Sequence, residues 1–463
     1  MSLIRCWTAD ATLLALLCSG CVGTEATGVV QNCTPVVLQA GNSGPCPRLA
    51  TKSSKELAPN YIGSVAAVEH IGDWVWNTGL QWMEVIIDPA GQWQYVDWQN
   101  DSYAVDPKDE QVIDDLVRNG VRITLMLDVW GPEHRVVFHK SEEDILRYLN
   151  WVRFMVRHFR GRIEYYQILN EPDLNFDAPS GMTVDAYVNL IKRTVPVIRL
   201  EDPQAKIAIG ALPSPSFDHV RAYMWGLLQS DVMPLVHGFS WHPMYGAAPA
   251  DDPRGVREGG QGQLANYWEV YPTLVGDIKR VAAASGFTGE HFVAEMMWRT
   301  PLEPHESEPY GFTDVTGAKY YARAITIHRG LGITTGVGFT QDQHGRPRSH
   351  GVIRALCTVL AGAQPADLPV DIQSRAGNLK HYGFAWPNGD KLLALWTDGA
   401  AVENAPGIEA VITLTDLAPP RITAIDVLHG VEQELNGSLV NGNLVLRRVL
   451  VRDYPVMLKF TSP

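Results

Sequence analysis

Between residues 62 and 340 the chain alternates repeatedly between short apolar runs and longer amphipathic stretches. The short runs fall at 62–68 (IGSVAAV), 80–87 (LQWMEVII), 121–128 (VRITLMLD), 163–169 (IEYYQIL), 206–211 (KIAIGA), 235–241 (LVHGFSW), 291–296 (HFVAEM) and 332–340 (GITTGVGFT). Each has the length of a strand buried on both faces. The stretches 107–118, 142–159, 184–200, 268–284 and 316–329 carry apolar residues at helical spacing; in 142–159, Ile145, Leu149, Val152, Met155, Val156 and Phe159 form one stripe. Strand-then-helix alternation predicts a parallel sheet with covering helices, because parallel neighbours must be joined by crossovers.

After Gln364-Pro365 the texture changes. Alternating runs at 379–386, 391–397, 408–414, 422–428, 443–449 and 454–460 are separated by Pro-Asn-Gly-Asp, Ala-Pro-Pro and Asn-Gly-Ser clusters, which favour turns. This region of about 100 residues reads as a β-sandwich.

Two of the predicted strands run into a glutamate. Residues 163–173, IEYYQILNEPD, close on Asn170-Glu171-Pro172, and Phe292-Val293-Ala294 lead directly to Glu295. A charge at the end of an apolar strand loses water, so such an ending points to a functional strand end. Two of them suggest the paired carboxylates of a glycosidase.

These motifs resemble clan A of the glycoside hydrolases, (β/α)8 barrels with an acid/base Glu in an Asn-Glu-Pro motif ending strand four and a nucleophilic Glu ending strand seven. Within the clan, FSWHPMYG at 239–246 resembles the strand-six His and Tyr of the β-xylosidase and α-iduronidase family. The resemblance covers about 300 residues, the size of such a barrel. It implies a TIM barrel over 57–363 followed by a β-sandwich over 364–463, after an N-terminal segment at 22–56. It also implies a retaining O-glycosidase without cofactor or metal, acting on a poly-, oligo- or glycoconjugate saccharide. Glu171 would be the acid/base and Glu295 the nucleophile. Asn170 would bond the sugar hydroxyl beside the anomeric centre, Tyr245 would approach the nucleophile, and His242 would orient the site. Several clan A families carry such a sandwich, which here would borrow a strand near Thr34 to Leu38; it reads as a structural buttress, with carbohydrate binding as the alternative.

The chain departs from the clan pattern in two places. Glu84 in strand two stands where an Arg commonly supports the nucleophile. Strand eight, where Trp is common, reads Phe339-Thr340-Gln341-Asp342-Gln343-His344, a polar rim in which Gln341 is a sugar-binding candidate.

A retaining mechanism needs one carboxyl protonated and the other ionised, so their environments must differ. Apolar surroundings and the charge of Glu295 would keep a proton on Glu171, whereas Glu295 needs donors. Trp298, Trp241 and Trp130 lie at or beyond strand ends, where an indole face can stack on a pyranose; the competing reading is core. Asp128 and Glu69 close other strands and are candidate contacts. Glu303, Glu306 and Glu308 read as a solvated face.

The net charge of −13 argues against nucleic acid or an anionic membrane as partner. At the N-terminus, Arg5 precedes an apolar stretch from Ala11 to Cys18, which reads as an export signal over 1–21. Cys18-Ser19-Gly20-Cys21 resembles a bacterial lipobox that would place a lipid anchor on Cys21; a plain secretory signal is the alternative. Cys33 and Cys46 bracket a Gly/Pro-rich segment and are either a disulfide or two thiols, while Cys357 reads as a buried small hydrophobe. Outside the leader's Cys18-Ser19-Gly20-Cys21 there is no CxxC, and there is no HExxH, so no metal site is expected. Two rival functions stand beside hydrolysis: transglycosylation by the same dyad, and a non-catalytic carbohydrate-binding surface lipoprotein.

Overall fold

The computed structural model describes residues 37–87, 96–97, 100–128, 139–173, 181–243, 264, 267–298, 312–338, 347–415 and 421–461. Eight parallel strands close a barrel: β1 (Ile62–Ala67), β2 (Trp82–Ile86), β3 (Arg122–Leu127), β4 (Tyr165–Ile168), β5 (Lys206–Leu212), β6 (Gly238–Trp241), β7 (Glu290–Met296) and β8 (Thr334–Gly338). They pair in chain order and β8 closes on β1. The helices around them are α1 (Trp74–Thr78), α2 (Pro107–Arg118), α3 (Glu142–His158), α4 (Val184–Glu201), α5 (Asp218–Leu228), α6 (Tyr267–Ala284), α7 (Asp314–Gly330) and α8 (Pro347–Val359).

The five expected helices are α2, α3, α4, α6 and α7. Four of them announce their starts: the side chains of Asp106, Ser141, Thr183 and Thr313 accept backbone N–H groups of the first turn. Helix α5 begins at Phe217 without a side-chain cap, and α8 merges into an apolar run, so neither was expected. Cys357 lies in α8, fully buried, and burial pushes its thiol up.

Period-two alternation sorts each barrel strand into an outer face under the helices and an inner face. Inside, the Trp82 ring stacks on Phe292 at 5.5 Å, and Tyr165 meets the same Phe edge-on at 4.9 Å. The Trp82 indole N–H donates to Thr124 Oγ1 (2.8 Å). Room for this indole comes from two glycines: a Cβ at Gly336 would lie 2.5 Å from the Trp82 ring, and one at Gly63 2.3 Å from the Trp82 carbonyl oxygen. At the amino end of the barrel, Lys206 Nζ lies 2.9 Å from Glu164 and 3.6 Å from Glu290. Arg122 lies 3.5 and 3.6 Å from the same two carboxylates.

The C-terminal part is a two-sheet sandwich formed by β9 (Gln364–Pro365), β10 (Val370–Ser374), β11 (Leu379–Ala385), β12 (Lys391–Thr397), β13 (Ile408–Leu414), β14 (Arg421–Asp426), β15 (Val431–Glu434), β16 (Gly437–Val440), β17 (Asn443–Val451) and β18 (Val456–Thr461). One sheet has the order β9-β11-β12-β18-β14-β15, the other β10-β13-β17-β16. Leu393, Leu395, Ile412, Leu446, Leu458 and Phe460 fill the space between them. Among the described residues, the N-terminal segment touches this sandwich at isolated bridges, Gln39 on Val449 and Arg48 on Val431. Thr34 lies outside the described residues.

Helix α7 is buried all round because the sandwich covers the side that would otherwise face solvent. Lys319 pairs with Asp453 (2.8 Å), and the Arg323 guanidinium donates to the carbonyls of Asp453 (2.8 Å) and Gly399 (2.6 Å). On its other side, α7 presents Tyr321, whose hydroxyl meets the backbone N–H of Trp298 (3.3 Å) and the carbonyl of Gly338 (3.4 Å). The sandwich thus braces the helix that holds the ends of β7 and β8.

Candidate active site

Asn170-Glu171-Pro172 forms a tight turn where β4 leaves the barrel. The carboxylate of Asp128, just beyond β3, accepts the backbone N–H of Asn170 (3.1 Å), and the Glu171 N–H donates to the Ala211 carbonyl (3.0 Å). Asp128 therefore fixes this turn. Glu171 adopts a left-handed conformation (φ 42°), as do its neighbour Leu169 (60°) and its partner Ala211 (44°). Glu295 does the same at φ 54°, where the β7–β8 register shifts. Left-handed backbone at a non-glycine residue is costly and collects at functional sites. At Gly338 a Cβ would lie 3.2 Å from Glu295 Cα, so this glycine lets β8 approach the kink.

Both carboxylates converge on His242, which follows β6 on its inward face. His242 Nδ1 lies 2.8 Å from Glu171 Oε1 and 3.5 Å from Glu295 Oε2. The imidazole is fully buried, and the two carboxylate side chains are 15% and 17% exposed. One oxygen of each Glu and a His242 ring nitrogen all lie within 4.8 Å of one another. The 2.8 Å His242–Glu171 contact is a direct hydrogen bond.

A third carboxyl lies beneath them. Glu84 of β2 is fully buried and takes one hydrogen bond, from Gln167 Nε2 of β4 (2.8 Å). Burial pushes its pKa up to about 7; His242 and the Gln167 bond oppose the rise, and Glu295 and Glu171 add to it. Burial would lower His242, but Glu295, Glu171 and Glu84 together raise it to about 9. Burial and the nearby Glu171 raise Glu295, while His242 pulls it back. The imidazolium is thus what favours an ionised Glu295.

Of the residues expected at the site, Glu171, Glu295 and His242 come together, with Asn170 beside them, 8% exposed. Trp298 is a correction: it is 1% exposed, edge-on to Tyr321 at 4.8 Å and tilted over Tyr320, so it fills the core and offers no face to a sugar. Trp241 is also core, donating to the Tyr271 hydroxyl (3.0 Å). Glu69 sits exposed in a turn after β1. Tyr245, Trp130 and Gln341 lie outside the described residues, as do Glu303, Glu306 and Glu308. Gln167 was missed, although it is the polar member of the inward pair Tyr165/Gln167 in an otherwise apolar strand.

No protein-family model and no curated protein matches the sequence. Solved structures do match. A family 39 glycoside hydrolase from the gut symbiont Bacteroides cellulosilyticus WH2 aligns with TM-score 0.62 at 15% identity, over 89% of this chain and 83% of that one. A bifunctional glucanase-xylanase from a metagenome library gives 0.56 at 12%, over 90% and 100%. The catalytic domain of xylanase C, a family 30 enzyme from Talaromyces cellulolyticus, gives 0.54 at 11%, over 89% and 99%. The chain therefore has the fold of clan A glycoside hydrolases, an eight-stranded barrel followed by a β-sandwich.

Proposed function

We propose that this chain is a retaining O-glycoside hydrolase with Glu171 as acid/base and Glu295 as nucleophile. The observation that carries this reading is the meeting of two strand-end carboxylates, with oxygens within 4.8 Å of each other. Retaining enzymes hold their carboxyls about 5–5.5 Å apart, and inverting ones about 6.5–9.5 Å to admit a water. Glu295 attacks the anomeric carbon as the bond to the leaving oxygen breaks, and Glu171 gives that oxygen its proton. Water then displaces the Glu295 ester and returns a proton to Glu171. The neighbours named as glucanase and xylanase make neutral glucosides and xylosides the first substrates to test.

The experiment is a screen of aryl glycosides. Substrates that respond are then followed by anomer-resolved NMR, and a fluorosugar with a good leaving group is used to trap the intermediate. Retention of configuration with the label on Glu295 is expected; an inverted first product overturns the mechanism. Products formed with an added acceptor sugar separate transfer from hydrolysis.

We further propose export with a lipid on Cys21. The motivation is Arg5, the apolar run and the lipobox-like Cys18-Ser19-Gly20-Cys21. Cys21→Ser should move the mature protein from the detergent phase to the aqueous phase. A wild-type mature chain in the aqueous phase removes the anchor and leaves the enzyme proposal intact.

A further inference from the structure

We infer that Tyr187 is a positioning residue: its hydroxyl stands in the place of one rung of the barrel ladder and so fixes the kink in β5 that aligns Glu171 with His242. The inference rests on the catalytic reading above and adds a residue to it.

Strands β4 and β5 pair in register from Tyr165 opposite Lys206 to Gln167 opposite Ala208. The Lys206 N–H donates to the Glu164 carbonyl (2.9 Å), and the bonds of a parallel ladder recur at every second residue. Two rungs further on, the Gly210 N–H would meet the Ile168 carbonyl. The pairing ends before that point, and a hydroxyl from α4 fills the gap. The Gly210 N–H donates to Tyr187 Oη (3.2 Å), and that hydroxyl donates to the Ile168 carbonyl (2.5 Å). Tyr187 is fully buried, so it satisfies two backbone groups that have left the ladder inside the protein.

The next residues of β5 use the gap. Gly210 and Ala211 take left-handed conformations (φ 100° and 44°), and the β5–β6 register shifts between Ile209 and Leu212. Irregularities of this kind re-aim the residues beside them. The Ala211 carbonyl accepts the Glu171 N–H (3.0 Å), and the Leu212 carbonyl accepts the His242 N–H (2.7 Å). The side chains of Glu171 and His242 then meet at 2.8 Å. Through Gly210, Tyr187 thus holds the short segment from which both residues hang.

Tyr321 of α7 makes the same insertion beside Glu295. Its hydroxyl lies between the Trp298 N–H (3.3 Å) and the Gly338 carbonyl (3.4 Å), just past the pairing of Val337 with Met296. Each strand that carries a proposed catalytic glutamate is therefore parted from a neighbour by a helix tyrosine.

Without the Tyr187 hydroxyl, the two buried backbone groups either close on each other or go without a partner. Closure draws Gly210 toward β4 and carries Ala211 and Leu212 with it. A small displacement of a reacting pair costs rate more than affinity.

The test compares the full-length wild type with Tyr187→Phe, which removes only the hydroxyl, and with Tyr166→Phe as a matched control. Tyr166 is equally buried and donates to the Val156 carbonyl of α3 (3.3 Å), away from the kink. Thermal melts verify folding of each. NMR of protein labelled with nitrogen-15 at histidine reads the His242–Glu171 contact without any substrate, the His242 signal being assigned by its loss in His242→Gln. Tyr187→Phe should move that signal and, on a responding aryl glycoside, lower kcat about tenfold or more with KM little changed. Tyr166→Phe should do neither. An unmoved His242 signal in Tyr187→Phe overturns the inference, as does a kcat no lower than that of Tyr166→Phe. A Tyr187→Phe chain that fails to fold overturns it too, since the hydroxyl then serves the barrel and not the site. A moved signal in a chain whose wild type cleaves no glycoside supports the Tyr187–His242 coupling and defeats the catalytic reading, so the two failures are distinguishable.

Discussion

Strands β4 and β7 bring a glutamate to each end of the barrel: Glu164 and Glu290 at the amino end, Glu171 and Glu295 at the carboxyl end. At the amino end two anions face two cations, Arg122 and Lys206, and these four side chains are 27–40% exposed. Such pairs are balanced and solvated, so each contributes little. At the carboxyl end, among the described residues, three carboxyls lie about one imidazole, and Glu84 and His242 are fully buried. That excess of like charge works against folding, as do the left-handed conformations of Glu171 and Glu295. The same chemical groups close the barrel at one end, whereas at the other burial and the nearby Glu171 raise the proton affinity of Glu295. The difference lies in counter-charge and water, and the unbalanced end is the one that holds the proposed catalytic pair.

The sharpest way to break this comparison is to remove Glu295. Glu295→Gly should lower kcat by roughly 10⁴-fold or more, and azide should restore turnover with inverted product by occupying the vacated position. Restoration with retained product would show that Glu295 is not the nucleophile.

Glu171→Gln should cost roughly 10²–10⁴-fold on glycosides with poor leaving groups, which need protonation. Activated aryl glycosides should suffer far less in the first step. Equal losses on both, measured as kcat/KM, would dismiss Glu171 as the acid.

The buried carboxyl should also leave a trace in stability against pH. Glu84 rises from 4.5 to about 7 on folding, so the folded state holds a proton that the unfolded state has lost in this window. Stability therefore falls as pH rises from 4.5 to about 7. His242 contributes stability that is full below 6.5 and lost as pH rises through about 9. Urea titrations should show Glu84→Gln gaining on wild type by ~3 kcal/mol between pH 4 and 8. Parallel curves would mean that Glu84 is ionised throughout.

The smallest effect belongs to the amino end. Arg122→Met should lower stability by less than about 1 kcal/mol at neutral pH and leave kcat/KM unchanged. A large loss of activity there would erase the functional contrast between the two ends.

The alternation of apolar runs and amphipathic stretches was enough to read eight strands and five helices, because burial on both faces and side-chain caps are written locally. Helices α5 and α8 were not among those read. The convergence of Glu171 with Glu295 was legible because both end apolar strands. Trp298 misled because its position beyond β7 says nothing of Tyr320 and Tyr321, which enclose it from α7. Glu84 was visible in the sequence only as an unusual residue for its strand.

By itself, then, the sequence determined the order of elements, the change to a sandwich near Gln364 and the two strand-end carboxylates, since each depends on residues adjacent in the chain. Only the tertiary structure decided which charges meet. Closure of the barrel sets His242 between carboxylates from β4 and β7, residues 71 and 53 positions away, and puts Glu84 beneath them. The proton affinities of these groups follow from burial and from distances across the barrel, quantities that no local pattern of residues contains.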